Sequence, residues 1–590
     1  MKIRISIVLA ISLLACESNI YNDGFIQYHP VKLTDEQKLT LSQELSEKGS
    51  NYDEDEKMLA TTINSWQYHI DSPIDTKVHD VRSTFRYAVQ LLDMEGNKND
   101  QRAFDILTKA ISLQDQDTTS ESCGVWPYFL EEPLATKKSP VDYNWADFNA
   151  VKLLDIWMGH NEKLVEPLRS KVKYALVLAA KAIQKRDVGP GYTNIAIMGT
   201  YVTYLVSHLF DIPEMQKYAE KRGTNFYEYT LDLGGFSEYN SPTYTVVALD
   251  EIARMQNHIV EPVAKHMIDS LYTIGWDVIA RHYHKPTMQW AGPHSRAYGS
   301  LLRQNAQSMI NEASNGQIAL DEQKAGIDVR IRHQIPAHLL WYFTDPKYPR
   351  LEVDIFDKNE PQVVGMAYLT DAYALSSCNM SSLWNQRRPL LAYWGTHDFP
   401  KYMQLRFLHD DYDFTSALLY TQQNENKVLA TISFATNSGD KHPFIGKIED
   451  GRFLARDMRL RFEFGNVADS ALLMPVEDFE PTTFETEGMN FKLHLMAAAF
   501  DNLDGHWEKG GEETVSWMDY VIYHGDEKEF DLLAIEKAYL AFTYCMAPDQ
   551  KDFNNSPGNT EIENGKILAT WDDMQVAAEV KPSILIKPFL

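Results

Sequence analysis

The chain is poor in cysteine. Four occur in 590 residues, at positions 16, 123, 378 and 545, and no two of them stand in a CxxC spacing. Neither a zinc site nor a disulfide framework can be read from so sparse a set. Long apolar runs are scarce too. After the first residues no stretch of about 18 apolar residues occurs, so the sequence offers no membrane-spanning helix. Positive charge is in deficit: 56 Lys and Arg stand against 83 Asp and Glu, a net charge of -27. That balance denies nucleic acid the basic footprint it needs. Any anionic ligand has to be held by a local basic site against the overall field. GxSxG, Walker, HExxH and Rossmann fingerprints are all missing. Acidic residues are plentiful, so counting does not exclude a glycosidase carboxylate pair.

What is present begins at the N-terminus. Lys2 and Arg4 precede a short apolar run, Ile5 to Leu14, which ends at Ala15 and Cys16. Basic, then apolar, then small at the cut is the layout of a secretory signal, and the run is too short to span a bilayer. The stretch Leu13-Leu14-Ala15-Cys16 resembles the lipobox of bacterial lipoproteins. The resemblance implies a signal peptide over 1–15, lipidation of Cys16 as the mature N-terminus, and an exported protein anchored in a bacterial membrane, facing the periplasm or the outside. Several acyl chains anchor firmly, because each buried methylene adds about 0.8 kcal/mol.

A chain of this length exceeds one compact core. Residues 16–56 read as a polar tether followed by a surface helix, with Asp53-Glu54-Asp55-Glu56 as an acidic run. Over 57–348 the pattern is helical. Ala103, Ile106, Leu107, Ala110 and Ile111 keep the 3.6-residue period, as do Val172, Ala175, Leu176 and Leu178. Gly189-Pro190-Gly191, Pro213, Gly234-Gly235, Pro242 and Pro286 punctuate the helices. Many antiparallel helices in a row predict an α/α toroid, an incomplete helical barrel. After Asp345-Pro346 the texture changes to short runs rich in Val, Ile, Tyr, Phe and Thr: Val364–Leu369, Leu390–Trp394, Ala417–Tyr420, Val428–Phe434 and Leu460–Phe464. Asn437-Ser438-Gly439-Asp440 and Gly525-Asp526 look like turns between such runs. Residues 349–590 are therefore expected to form an antiparallel β-sandwich. The fold class is α+β multidomain, helices first and sheets second.

The densest polar cluster is Gly234 to Tyr244, with Glu238, Tyr239, Asn240 and Tyr244 crowded between two helices. Ser241 can cap the following helix and Pro242 suits its first position. A second cluster, Trp290 to Gly299, combines an indole, the His294 imidazole, the Arg296 guanidinium and the Tyr298 phenol. Tyr192-Thr193-Asn194 and Asn144-Trp145-Ala146-Asp147 lie near helix starts, where capping explains Asn194 and Asn144 as readily as function does. Trp126 is either a sugar platform or a core residue. Trp384-Asn385-Gln386-Arg387-Arg388-Pro389 sets positive charge beside an aromatic. Arg387 there can reach an anionic chain or pair with acidic neighbours. With 12 Trp and 31 Tyr the chain is rich in aromatic faces, which suits sugar rings and large cores alike.

This layout resembles polysaccharide lyases of the heparinase, chondroitin lyase and alginate lyase kind. Phe236-Ser237-Glu238-Tyr239-Asn240 to Tyr244 is similar in place to the loop carrying their catalytic Tyr. His294-Ser295-Arg296-Ala297-Tyr298 is similar to their later Arg-bearing loop, Asn194 to an Asn that neutralises the substrate carboxylate, and Asn144-Trp145 to a pair near the cleft. Many relatives follow the early Asn with a His, where this chain has Ile195. The resemblance implies cleavage of a uronic-acid polymer by β-elimination, with no metal or organic cofactor. Asn194 and Asn240 would neutralise the carboxylate, with Arg296 assisting. Tyr244 would be the acid, and the base is Tyr244 itself, Tyr239 or His294. Trp126, Asn144, Trp145, Trp290, Tyr298 and Arg387 would line the path of an anionic polysaccharide. The sequence also admits a toroidal glycoside hydrolase with paired carboxylates, or a non-catalytic surface glycan-binding lipoprotein.

Overall fold

The computed structural model describes residues 24–318, 328–439, 448–553 and 556–585. Cys16 lies outside them. The longer helices among the described residues are α1 (Asp35–Gly49), α2 (Val81–Met94), α3 (Asn97–Ile111), α4 (Asn144–His160), α5 (Leu168–Arg186), α6 (Thr193–Leu209), α7 (Pro213–Leu233), α8 (Tyr244–His258), α9 (Pro262–His282) and α10 (Gln304–Ala313). Their sequences set their places. In α6 every residue from Thr193 to Ser207 is buried, and α4 is buried almost throughout. A helix that is apolar all round belongs inside. By contrast α7 buries only Met215, Ala219, Arg222, Phe226 and Thr230, one stripe of an outer helix.

Successive helices form hairpins, α2 with α3, α4 with α5, α6 with α7 and α8 with α9. The members α2, α4, α6 and α8 also touch in series, as do α3 and α5, and α7 and α9. This is an inner ring inside an outer one, an incomplete α/α toroid. Because each hairpin is antiparallel, the four inner helices run the same way, and their N-termini gather at one mouth. Tight packing fixes them there, and each large apolar side chain taken out of water contributes about 1.5–3 kcal/mol.

The opposite mouth is plugged. Residues 25–29 cross it: the Gln27 amide donates to His258 O and the His29 amide to Met158 O, while Phe25 stacks on His208 at 4.7 Å. The expected tether is thus already part of the fold at Ile26, which is fully buried. Residues 328–335 cross the same ends. Arg330 bonds Asp93 and the Asp155 carbonyl, and Asn257 Nδ2 donates to Arg330 O. Helix does not hold throughout 57–348 either. Tyr52–Asp53, Met58–Thr62 and Lys77–His79 pair as a small antiparallel sheet; Met58 and Leu59 join the core that contains α2, and Val78 packs with Ile63 and Phe129.

Strands take over at Arg350. Among the described residues they form two large antiparallel sheets, of nine and six strands, and a smaller three-stranded one. The large sheets pack face to face, Leu375, Ala392, Leu405 and Phe462 from one meeting Leu419, Ala430, Leu493 and Phe542 from the other. The structure is a β-sandwich. Gly525-Asp526, expected as a turn, lies inside the strand Val515–Asp531. The pairing slips there, Ala455 facing Lys528 and Asp457 facing His524, so these residues form a bulge that leaves the strand unbroken. The strand Tyr373–Cys378 is buried on both faces. Its outer face holds Ala374 against Ala291 of the helical half, and this seats the loop after α9 directly on the sheet.

Candidate active site

Two loops meet at the open mouth, Gly234–Thr243 before α8 and 291–303 after α9. Asn240 ties them together. Its backbone is left-handed, φ +41, a conformation that Asn tolerates better than most residues. Its Nδ2 donates to Ala291 O at 2.9 Å and Pro293 O at 3.0 Å, and its Oδ1 accepts from Trp290 Nε1 at 2.5 Å. Ser295 Oγ donates to Tyr239 O at 2.5 Å, Ser241 Oγ to Arg296 O at 2.7 Å, and His294 Nδ1 to Asn240 O at 2.7 Å. Ser241 also accepts from the Tyr244 amide at 2.9 Å, the cap expected of it. Ser237 Oγ reaches back to Gly191 O at 2.6 Å, which fixes the loop to the start of α6.

This knot presents a short row of polar side chains. Tyr244 OH lies 2.8 Å from Tyr298 OH. Arg296 Nη2 donates to Tyr244 OH at 3.1 Å, Nη1 to Glu238 Oε1 at 3.2 Å and Nε to Gln386 Oε1 at 2.7 Å. The guanidinium also lies 4.9 Å from the centre of the Trp384 ring. Beside the row, Asn144 Nδ2 donates to Tyr192 OH at 3.3 Å, and Arg186 Nη1 to Asn144 Oδ1 at 2.6 Å. Asn194 is buried at the first turn of α6, and its Oδ1 has no partner. The free amides of that turn and the helix dipole make the spot favourable to negative charge.

The electrostatics follow from burial. Burial pushes the Glu238 carboxyl up to about 7, against the pull of Arg296, and Glu238 Oε2 is buried without a partner. Burial also raises the Tyr244 phenol far above its ordinary range. Arg296 opposes that rise, while Tyr298 and Glu238 add to it. At neutral pH Tyr244 therefore rests as a proton donor.

Of the residues expected at the site, Tyr244, Arg296, Tyr298, Asn144 and Asn194 stand at this mouth. Others are turned to structural work. Tyr239 stacks on Phe356 at 3.8 Å and is buried beside Cys378. That removes it as a base. His294 is buried, and its imidazole is pushed down to about 3 by burial, so it is a neutral strut between the loops and no base. Asn240 has spent its whole amide on the knot, leaving nothing for a carboxylate. Trp290 and Trp126 are fully buried, their indoles donating to Asn240 and to Ala110 O. Neither is a sugar platform. Arg387 is buried with Nη1 on Ser382 Oγ at 3.2 Å, so its side chain is not open to a ligand. Trp145 packs 4.1 Å from Tyr128, just inside the mouth. Sequence reasoning passed over Glu238, Tyr192, Trp384 and Gln386 as site residues, although all four lie in stretches it singled out. Among the described residues no group of three or more His, Cys, Asp or Glu could hold a metal ion.

A family model described as a domain of unknown function, DUF8769, matches residues 41–328, which take in most of the helical half. No curated protein sequence matches the chain. Among solved structures the chain is similar to a mutant of the heparan sulfate lyase HepC from Pedobacter heparinus, at 9% identity over 93% of this chain and 90% of that one, with a TM-score of 0.37. It is also similar to the Streptomyces coelicolor A3 chondroitin AC lyase in complex with chondroitin sulphate, at 10% identity over 91% and 83%, with a TM-score of 0.45.

Proposed function

We propose that this protein is a polysaccharide lyase that cleaves a uronic-acid-containing polymer by β-elimination. The observation that carries the reading is the contact row Glu238–Arg296–Tyr244–Tyr298 at the mouth where the inner helices begin. A uronate resists losing its C5 proton because its carboxylate already bears charge. The Nδ2 donor of Asn194 and the cationic side of Arg296 disperse the charge that develops there, which is electrostatic stabilisation. Arg296 holds the phenol oxygen of Tyr244 and so favours its ionised form when substrate arrives. Once the phenolic proton of Tyr244 has passed to water, its oxygen takes the C5 proton, the electron pair forms the C4–C5 double bond, and the C4–O4 bond breaks. Tyr298, within hydrogen-bond reach of Tyr244, supplies a proton to the departing O4, and the two phenols then re-equilibrate.

The test is ultraviolet absorbance from the new conjugated double bond on alginate, glucuronan, hyaluronan, chondroitin and heparin. Absorbance on at least one is expected. None on any of them, with saturated reducing ends appearing instead, would make the protein a hydrolase. Binding without new ends would make it a glycan-binding protein. Tyr244→Phe is expected to lower turnover by about 100-fold or more, and full activity in that variant would remove Tyr244 from the chemistry. We further propose that Cys16 carries the lipid anchor, which metabolic labelling with a fatty acid and its loss in Cys16→Ser would test.

A further inference from the structure

Helices α2, α4, α8 and α10 border a cavity of about 650 Å³, and it begins just below the polar row. Trp145 follows Asn144 on α4, Val247 lies about one turn beyond Tyr244 on α8, and Asn305 follows the loop that carries Tyr298; all three line it. Lys152 and Arg254 line its deep end. From Tyr244 to Arg254 the rise along α8 is about 15 Å. Among the described residues the deep end is closed, which makes the cavity blind. The floor is the ionic layer of Arg254, Asp155, Asp328 and Lys152, and under it the segments 25–29 and 328–335 cross the ring.

The charges of the wall are unevenly spent. Glu251 and Asp328 are engaged by Arg254, Asp250 by His333 at 2.8 Å, and Asp80 by the cap of α2. Glu312 sits beside His333, and burial raises its carboxyl. On the facing helix, Arg82 and Arg86 lie one turn apart, exposed to the cavity, and neither makes an ion pair with a described residue. Arg82 lies over the Phe148 ring, 3.9 Å from its centre, so its guanidinium is held in place. Tyr128 supplies an aromatic part of the wall, with the buried Phe129 and Trp145 beside it.

We infer that this cavity seats the terminal sugars of the acidic chain, with Arg82 and Arg86 on their anionic groups, and that the enzyme removes units from chain ends. The inference rests on the elimination reading above. A blind cavity admits an end and refuses the middle of a polymer. Arg82 and Arg86 are exposed to the cavity, where a guanidinium can donate to an anionic group without first giving up an ion pair.

The experiment follows product size and solution viscosity against absorbance, on whichever polymer gives absorbance. Unsaturated mono- or disaccharides from the earliest times, with viscosity falling slowly, are expected. An early ladder of long unsaturated oligomers with a rapid fall in viscosity overturns the inference and leaves the elimination reading intact. Absence of absorbance on every polymer overturns both. The double variant Arg82→Gln, Arg86→Gln is expected to raise KM for short acidic oligosaccharides by about 10-fold to 100-fold, from the loss of charged hydrogen bonds. Its kcat and melting temperature should stay near those of the parent. An unchanged KM overturns the role of the two arginines.

Discussion

Each mouth of the helical ring holds an arginine among polar groups, and the two are spent differently. At the plugged end Arg254 is fully buried and meets three carboxylates, Asp155, Glu251 and Asp328. At the open end Arg296 meets one carboxylate, one phenol and one amide, and the carboxylate beside it is pushed up to about 7 by burial. Saturation turns a guanidinium into a brace. An incomplete set of partners leaves charge for something that arrives from outside.

The sharpest way to break that contrast is to remove each arginine in turn. Arg254→Ala strands buried carboxylates and is expected to cost about 3–5 kcal/mol of stability, read as a lowered urea midpoint. Arg296→Ala is expected to leave stability within about 1 kcal/mol of the parent and to lower kcat by about 100-fold to 1000-fold. If both variants lose stability alike, the distinction between brace and reagent is wrong. A smaller effect separates the two asparagines. Asn240→Ala orphans Ala291 O, Pro293 O and the Trp290 indole, and should cost about 1–3 kcal/mol. Asn194→Ala should leave the melt in place and reduce kcat by about tenfold or more, and equal melting losses in both would contradict the assignment.

The smallest effect concerns pH. The carboxyl of Glu238 has its folded pKa raised from 4.5 to about 7. Between those values the native state keeps a proton that the unfolded chain has lost, so stability falls as pH rises through that window. Glu238→Gln should flatten that slope in a pH series of thermal melts. It should also shift the activity profile toward acid, because the ionised carboxylate no longer raises the Tyr244 phenol. A profile unmoved by the substitution would separate Glu238 from the phenol.

The order of helices and then sheets was legible because it is written in periods. Residues 103–111 repeat every 3.6, and runs such as Val364–Leu369 are short, β-rich and bounded by turns. The two site loops were legible from their crowding. Which members of a loop face the cleft was not, because an irregular loop has no period to count. Tyr239 and Asn240 sit between Glu238 and Tyr244 in sequence, yet the left-handed turn at Asn240 drives that middle pair inward and leaves the outer pair at the mouth. Nor could the sequence show that Gln386, ninety residues away from Arg296, completes the guanidinium's shell. The small sheet at 52–79 escaped because its strands are too short to show an alternation.

The bridge between the loop after α9 and residues 386–388 has a mechanical meaning. The Ala297 amide donates to Gln386 O, and His294 and Arg388 exchange amide-to-carbonyl bonds, directly flanking Arg296. The sheets are thus stitched to the ring at the Arg296 guanidinium. A tilt of one half against the other is geared to the spacing between Arg296 and Tyr244, so separating the halves would pull the guanidinium away from the phenol.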